Sequence, residues 1–205
     1  MSRIAVLAGV NGSGKSSVAG AQIRQRGGDY YNPDEFTKEL RKDSSMSEAE
    51  ANSQAWLEGK RRLEAAIQNR TDFTFETTLG ASTIPALLAK ALDEGIDVVM
   101  IYVGLDSVDR NIARVRSRAK AGGHDIPEQK IRERYTSSMA NLVKLAPRLT
   151  ELRVFDNSVD VDDMKTTLTR PRQLLHAKDG KIIGTSDVNT FPDWAKPVLG
   201  QLLPA

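Results

Sequence analysis

The sequence predicts an α/β protein built on a central, mainly parallel sheet, and two patterns carry that reading. Short apolar runs of strand length alternate with segments of helical period, as in a parallel sheet covered by helices. The first apolar run also passes through a glycine-rich turn into a helical segment, the βα unit with which such sheets begin.

Residues 3–8 read as the first strand, followed by a helix over 15–26 that Gly27 and Gly28 stop. Residues 29–32 read as a short second strand, and Pro33 opens a helix to about Arg41. Ser47 and Glu50 have capping-box spacing and start a helix over 48–69, with Ala51, Ala55, Leu63 and Ile67 on its apolar face. Residues 73–77 form the third strand, and Ser82 or Thr83 caps a helix to Glu94. The run 96–103, rich in β-branched residues and apolar but for Asp97, reads as a strand buried on both faces. An Arg-rich helix over 106–120 breaks at Gly122-Gly123, Pro127 begins another helix to about Leu145, and 152–156 is a further strand. Beyond it, 173–184 has the pattern of a hairpin around Asp179-Gly180, and 191–203 that of a terminal helix between prolines. The expected division is a core over 1–170, containing a lid over about 106–146, and a C-terminal hairpin and helix appendage over 171–205.

The composition narrows the partners. With 205 residues, 40% hydrophobic and 27% charged, the chain can build a sizeable core as one domain with an appendage. A formal charge of only +2 argues against holding nucleic acid by bulk charge. The lack of cysteine excludes disulfides, thiolate nucleophiles and cysteine zinc sites, and two histidines cannot build a histidine-rich metal site. The longest apolar runs fall far short of the roughly 20 residues that span a bilayer, and no leader pattern precedes the glycine turn. The expectation is a cytoplasmic protein that works on neither membrane nor nucleic acid.

Residues 9–16, Gly9-Val10-Asn11-Gly12-Ser13-Gly14-Lys15-Ser16, satisfy GxxxxGK[ST] at every fixed position between a strand and a helix. Glycines let backbone N–H groups turn around a phosphate, and the helix start adds its positive end. The expected nucleotide contacts are Gly9, Asn11, Gly12, Ser13, Gly14, Lys15, Ser16 and Ser17. Lys15 would reach the β- and γ-phosphates, and Ser16 would bind Mg²⁺. Neither the NKxD and DxxG elements of GTPases nor the LSGGQ-like signature of transporter ATPases occurs, which leaves ATP phosphotransfer as the better reading.

Acidic residues at the carboxyl ends of strands face the ligand crevice of such a sheet. Asp34, which Pro33 directs from the end of the second strand, has the chemistry to take a proton from an acceptor hydroxyl. Glu76, ending the third strand, either holds Mg²⁺ through water or grips an acceptor hydroxyl. Arg114 and Arg118 share one face of the Arg-rich helix, and Arg134 follows beyond the glycines, so these three are the candidates for a closing lid. Guanidinium groups suit both stacking on adenine and capture of phosphate oxygens. Arg110, Arg116 and Lys120 read as a solvated face, and His124 carries no assigned chemistry. Trp56 reads as core or groove wall, and Trp194 as an anchor for the tail.

Val10 to Ser16, Asn32-Pro33-Asp34-Glu35, Phe75-Glu76-Thr77-Thr78-Leu79, Arg114-Val115 through Gly122-Gly123-His124 with Pro127, Ile131 and Arg134-Tyr135, and Phe155-Asp156-Asn157-Ser158 together resemble the short members of the zeta-toxin family of P-loop kinases. The ordered blocks cover about residues 3–158. The resemblance implies a P-loop kinase-like three-layer core that uses ATP and Mg²⁺ to phosphorylate a sugar hydroxyl of a UDP-N-acetylhexosamine. It makes Asp34 the catalytic base, places Glu76, with Thr77 and Thr78, where family members contact substrate, gives Lys15, Arg118 and Arg134 catalytic roles, and puts Asn157 at the adenine pocket. It also implies an antitoxin protein as a candidate partner. A nucleoside, shikimate-like or gluconate-like kinase on the same core, or an NTPase coupled to a macromolecule, are the alternatives.

Overall fold

The computed structural model describes residues 2–25, 27–42, 45–123, 125–158 and 171–203. Its sheet has six strands among these residues, in the order β2-β1-β3-β4-β5-β6. Strands β1 (Arg3–Ala8), β2 (Phe73–Thr77), β3 (Asp97–Gly104) and β4 (Glu151–Asp156) run parallel, with β1 paired on one side to β2 and on the other to β3. The hairpin β5 (Arg172–Lys178) and β6 (Lys181–Thr185) extends the sheet antiparallel to β4. Its two-residue turn has Asp179 and Gly180 both at positive φ, 48° and 72°, the geometry that matches the right-handed twist of the strands.

One face of the sheet is fully covered. Ile4, Val6, Ala8, Val98, Met100, Tyr102, Leu152 and Val154 bury against α3 (Glu48–Asn69), α4 (Thr83–Asp93), α6 (Glu128–Leu145) and the terminal α7 (Lys196–Leu202). The capping box of α3 is formed: Glu50 N–H donates to Ser47 Oγ at 3.3 Å, and Ser47 N–H donates to Glu50 Oε2 at 2.9 Å. Such a cap contributes about 1 kcal/mol to the helix it starts. The opposite face is thinner, because the helix after the first loop is short: one π-type turn, Ser16–Gly20, and then α1, Ala21–Gln25. Along β3, Val99 and Ile101 on that side are only half buried while Val98, Met100 and Tyr102 are buried. The strand expected to be buried on both faces is therefore so only toward its carboxyl end, at Val103 and Gly104.

Two other expectations change. The segment 29–32 is not a strand, and only Tyr31 bridges to the sheet, beside Phe75, with Tyr31 N–H donating to Thr74 O and Glu76 N–H to Tyr31 O, each at 2.9 Å. Gly27 and Gly28 before it disfavour extended pairing, and Pro33 after it has no N–H to continue a ladder. Of the two readings of Trp56, core or groove wall, the first is excluded, as it lies 43% exposed on α3. Beyond these, α2 (Pro33–Lys42) and α5 (Val108–Lys120) form where expected, and a second apolar cluster of Val10, Ile112, Val115, Ile126 and Ile131 joins the first loop to α5 and α6. No helix among the described residues is long and apolar enough to cross a membrane.

Candidate active site

The loop over residues 9–16 turns at three glycines with positive φ: Gly9 at 145°, Gly12 at 85° and Gly14 at 88°. At Gly12 conformation and space agree, since a Cβ there would meet Asn111 O at 2.5 Å. The loop is held from below and from both sides. Gly9 N–H donates to Thr77 O at 3.2 Å, Asn111 Nδ2 to Asn11 O at 2.7 Å, and Asn157 Nδ2 to Ser13 O at 2.8 Å. Arg114 Nη2 donates to the carbonyl of Asn157 at 2.9 Å, so α5 and the end of β4 brace the same stretch.

Lys15 and Glu76 meet at the mouth of this loop. Residue Glu76 pairs in register with Leu7, which brings its carboxylate alongside the end of β1. Lys15 Nζ lies 3.3 Å from Glu76 Oε1, and Ser16 Oγ donates to Glu76 Oε2 at 2.7 Å. Both side chains are under a tenth exposed, so the pair works in a low dielectric where charge acts strongly. Thr77 Oγ1 accepts from Leu79 N–H at 3.0 Å, Thr78 is half buried beside it, and Ser17 is exposed on the π-type turn.

Asp34 and Arg134 complete the group. Asp34 sits in the first turn of α2, its N–H donating to Asn32 Oδ1 at 2.9 Å, so the side chain of Asn32 fixes where α2 begins. Arg134 Nη1 donates to Asn11 Oδ1 at 2.8 Å. Burial pushes the guanidinium of Arg134 below its usual pKa, and the carboxylates of Asp34 and Glu133 oppose that shift. Helix α6 carries Arg134 to this place because it is tied to the turn after β2: Ser137 Oγ donates to Gly80 O at 2.5 Å and Asn141 Nδ2 to Leu79 O at 2.8 Å. Gly80 permits the approach, as a Cβ there would lie 2.8 Å from Arg134 Cγ.

Contacts thus link the loop over residues 9–16 to Glu76, Arg134 and Asn157, with Arg114 bound to Asn157 and Asp34 acting electrostatically on Arg134. Arg118 stands apart, exposed in the last turn of α5 with its stem against Gly123. Arg110, Arg116 and Arg132 are engaged by surface carboxylates: Arg110 by Asp106, Arg116 by Glu128, and Arg132 by Asp109 and Glu128. His124 lies outside the described residues. Sequence reasoning missed Asn111, although a signal was present: it is a buried amide within the stripe Val108, Ile112 and Val115.

Solved structures share this architecture, and one relative shares part of the sequence. A protein of Haemophilus influenzae without assigned function is 36% identical over 70 residues, covering 34% of this chain and 50% of that protein. The AvrRxo1-ORF1:AvrRxo1-ORF2 complex, solved with sulphate ions, superposes with a TM-score of 0.69 at 15% identity, covering 96% of this chain and 64% of that one. The same complex solved with ATP gives 0.68 at 14% identity with the same coverage. The PezAT toxin-antitoxin system of Streptococcus pneumoniae gives 0.51 at 14% identity over 82% of this chain and 75% of that chain. This chain therefore spans half to two thirds of the length of the first two proteins. The family model described as Zeta toxin matches residues 3–169, a span that holds every site residue described above, and the chain belongs to the zeta toxin family.

Proposed function

We propose that this protein is a cytoplasmic, ATP- and Mg²⁺-dependent kinase that transfers a phosphoryl group to a hydroxyl of a small metabolite, with a UDP-N-acetylhexosamine as the acceptor that its family resemblance favours. The convergence of Lys15, Ser16 and Glu76 at the mouth of the phosphate loop carries this reading. The donors there are hard oxygens, Ser16 Oγ and the Glu76 carboxylate, which suits Mg²⁺. That ion, when bound, would neutralise charge on the phosphate oxygens.

The chain's own residues supply the rest. The positive-φ glycines present backbone N–H groups to phosphate, and Lys15 can exchange its carboxylate partner for a phosphate oxygen without moving far. Arg134, already bound to the loop through Asn11, adds positive charge beside the group in transfer. Asp34, in the field of Arg134, orients the acceptor hydroxyl and takes its proton. An open groove of about 480 Å³ runs along α5 past Ser107, Arg110 and Arg114, and we assign the nucleotide base to it, against the Arg114 guanidinium. Arg118 is assigned to the lid that closes over this groove. Relatives solved as toxin-antitoxin or ORF1:ORF2 complexes support a protein partner, an antitoxin, for this chain.

Lys15→Ala tests the reading. Calorimetry with a non-hydrolysable ATP analogue and Mg²⁺ should show binding to the wild-type protein and at least a tenfold loss in the variant, which should stay folded but melt lower because Glu76 loses its buried partner. Equal affinity in both proteins would remove the phosphate loop from the account.

A further inference from the structure

Among the described residues, three buried side-chain polar atoms have no hydrogen-bond partner: Ser13 Oγ, Asn111 Oδ1 and Trp194 Nε1. They come from distant parts of the chain, the phosphate loop, helix α5 and the 3-10 turn Asp193–Ala195 that precedes α7. Yet all three residues line one small cavity beneath the loop, walled also by Tyr102, Gly104 and Tyr135. The cavity offers about 10 Å³ to the centre of a water-sized sphere, room for one water molecule and nothing larger.

The chemistry of the three atoms is complementary. Indole Nε1–H only donates. The amide of Asn111 already donates through Nδ2 to Asn11 O, which leaves Oδ1 as an acceptor. A serine hydroxyl does either. The other polar walls are spoken for: Tyr102 Oη is bonded to Ser138 Oγ at 2.9 Å, and Tyr135 Oη donates to Leu105 O at 3.1 Å. One water would accept from Trp194, donate to Asn111 and exchange a third bond with Ser13, the three bonds that buried waters usually make.

We propose that this cavity is a binding site for a single structural water and that, through it, Trp194 is a positioning residue for the phosphate loop at Ser13. The indole is placed for the task because Gly104, at the carboxyl end of β3, has no Cβ; one built there would collide with the ring. Tyr102 packs beside it, ring centroids 6.3 Å apart. The C-terminal segment thereby reaches the nucleotide site without touching nucleotide, and its effect on affinity rests on the proposed kinase reading. Because the water would steady the loop in ground and transition states alike, its loss should weaken binding more than it slows chemistry.

A crystal structure of the full chain at a resolution that orders water should show one water within about 3.2 Å of all three atoms; an empty cavity overturns the site. Trp194→Phe keeps an aromatic ring on Gly104 but removes the donor. It should raise the dissociation constant for the Mg²⁺ complex of a non-hydrolysable ATP analogue about 3- to 10-fold, with a melting temperature close to wild type. An affinity within twofold of wild type overturns the positioning role. Should that variant not fold, Trp56→Phe leaves Trp194 as the lone tryptophan. Its indole proton should then cross-relax with a long-lived water and shift on adding the analogue, and absence of either signal counts against the proposal. If the wild-type protein binds no analogue, the nucleotide reading falls, while the crystallographic and cross-relaxation results still decide the water.

Discussion

Lys15 and Glu76 form a nearly buried ion pair, 3.3 Å between Nζ and Oε1, inside the loop that the sequence marks for phosphate. The carboxylate also accepts from Ser16 Oγ, so one acidic residue from β2 organises both Lys15 and Ser16 at the mouth of the loop. An ammonium group parked in this way is oriented for a phosphate, and the carboxylate it leaves is oriented for a cation.

Glu76→Gln separates these duties. The amide retains an acceptor for Ser16 but strands the Lys15 charge, and removing one partner of a buried pair costs on the order of 3 kcal/mol. Urea denaturation should show that loss in the absence of nucleotide. Calorimetry should also show that Mg²⁺ improves the affinity for an ATP analogue much less in the variant than in the wild-type protein. An unchanged Mg²⁺ effect would return Glu76 to acceptor binding alone.

Arg134 and Arg118 should differ. Arg134 contacts the loop through Asn11, whereas Arg118 is exposed at the end of α5. Arg134→Ala should therefore lower kcat by about 100-fold, the scale of one lost donor at developing charge, and Arg118→Ala by less. Gly80→Ala, which crowds the Arg134 stem, should reproduce part of the Arg134 defect while the protein remains folded. Steady-state kinetics on the three variants check the order, and a larger effect at Arg118 would reverse the assignment.

Much of this geometry was legible in the sequence, and the parts that were not share a cause. Local signals marked local features: Ser47 with Glu50 set the start of α3, Asp179-Gly180 set the hairpin turn, and the glycines with Lys15 and Ser16 set the loop. Glu76 was legible as a residue at a strand end, since a parallel sheet gathers its carboxyl ends at one edge, whereas Asp34 was placed by a strand that does not form and reaches that edge through the single bridge of Tyr31 to Phe75. The Lys15–Glu76 pair depends on register, Leu7 beside Glu76, which no local pattern encodes. Residues 29–32 misled because tyrosines favour strands, while the flanking glycines and Pro33 permit only one bridge. The bracing of the loop by Asn111 and Asn157 joins residues 100 and 144 positions apart.

The tyrosines give a pH signature. Burial pushes Tyr31 and Tyr102 up to about 12, and Tyr30 and Tyr135 shift in the same direction from 10.0. Raised values mean that the folded state keeps these protons while an unfolded chain releases them near pH 10. Stability is thus intact below pH 10 and is lost as pH rises toward 12, on the order of 2–3 kcal/mol from Tyr102 alone. At pH 10 the native protein should show little tyrosinate absorbance and the urea-unfolded chain about half of its maximum. Matching titrations would contradict the buried placement of these rings.

Phosphoryl transfer by Asp34→Asn bears most directly on the kinase reading. The substitution keeps the shape of the residue and removes its ability to take a proton. Wild-type protein, given ATP, Mg²⁺ and a panel of UDP-sugars, nucleosides and small hydroxy acids, should yield a phosphorylated acceptor detectable by mass spectrometry. The variant should bind the ATP analogue as wild type does while acceptor phosphorylation falls by roughly 10² to 10⁴, with slow hydrolysis of ATP by water reduced less. Acceptor phosphorylation by Asp34→Asn at the wild-type rate, or release of free phosphate by the wild-type protein with no acceptor modified, would contradict the account.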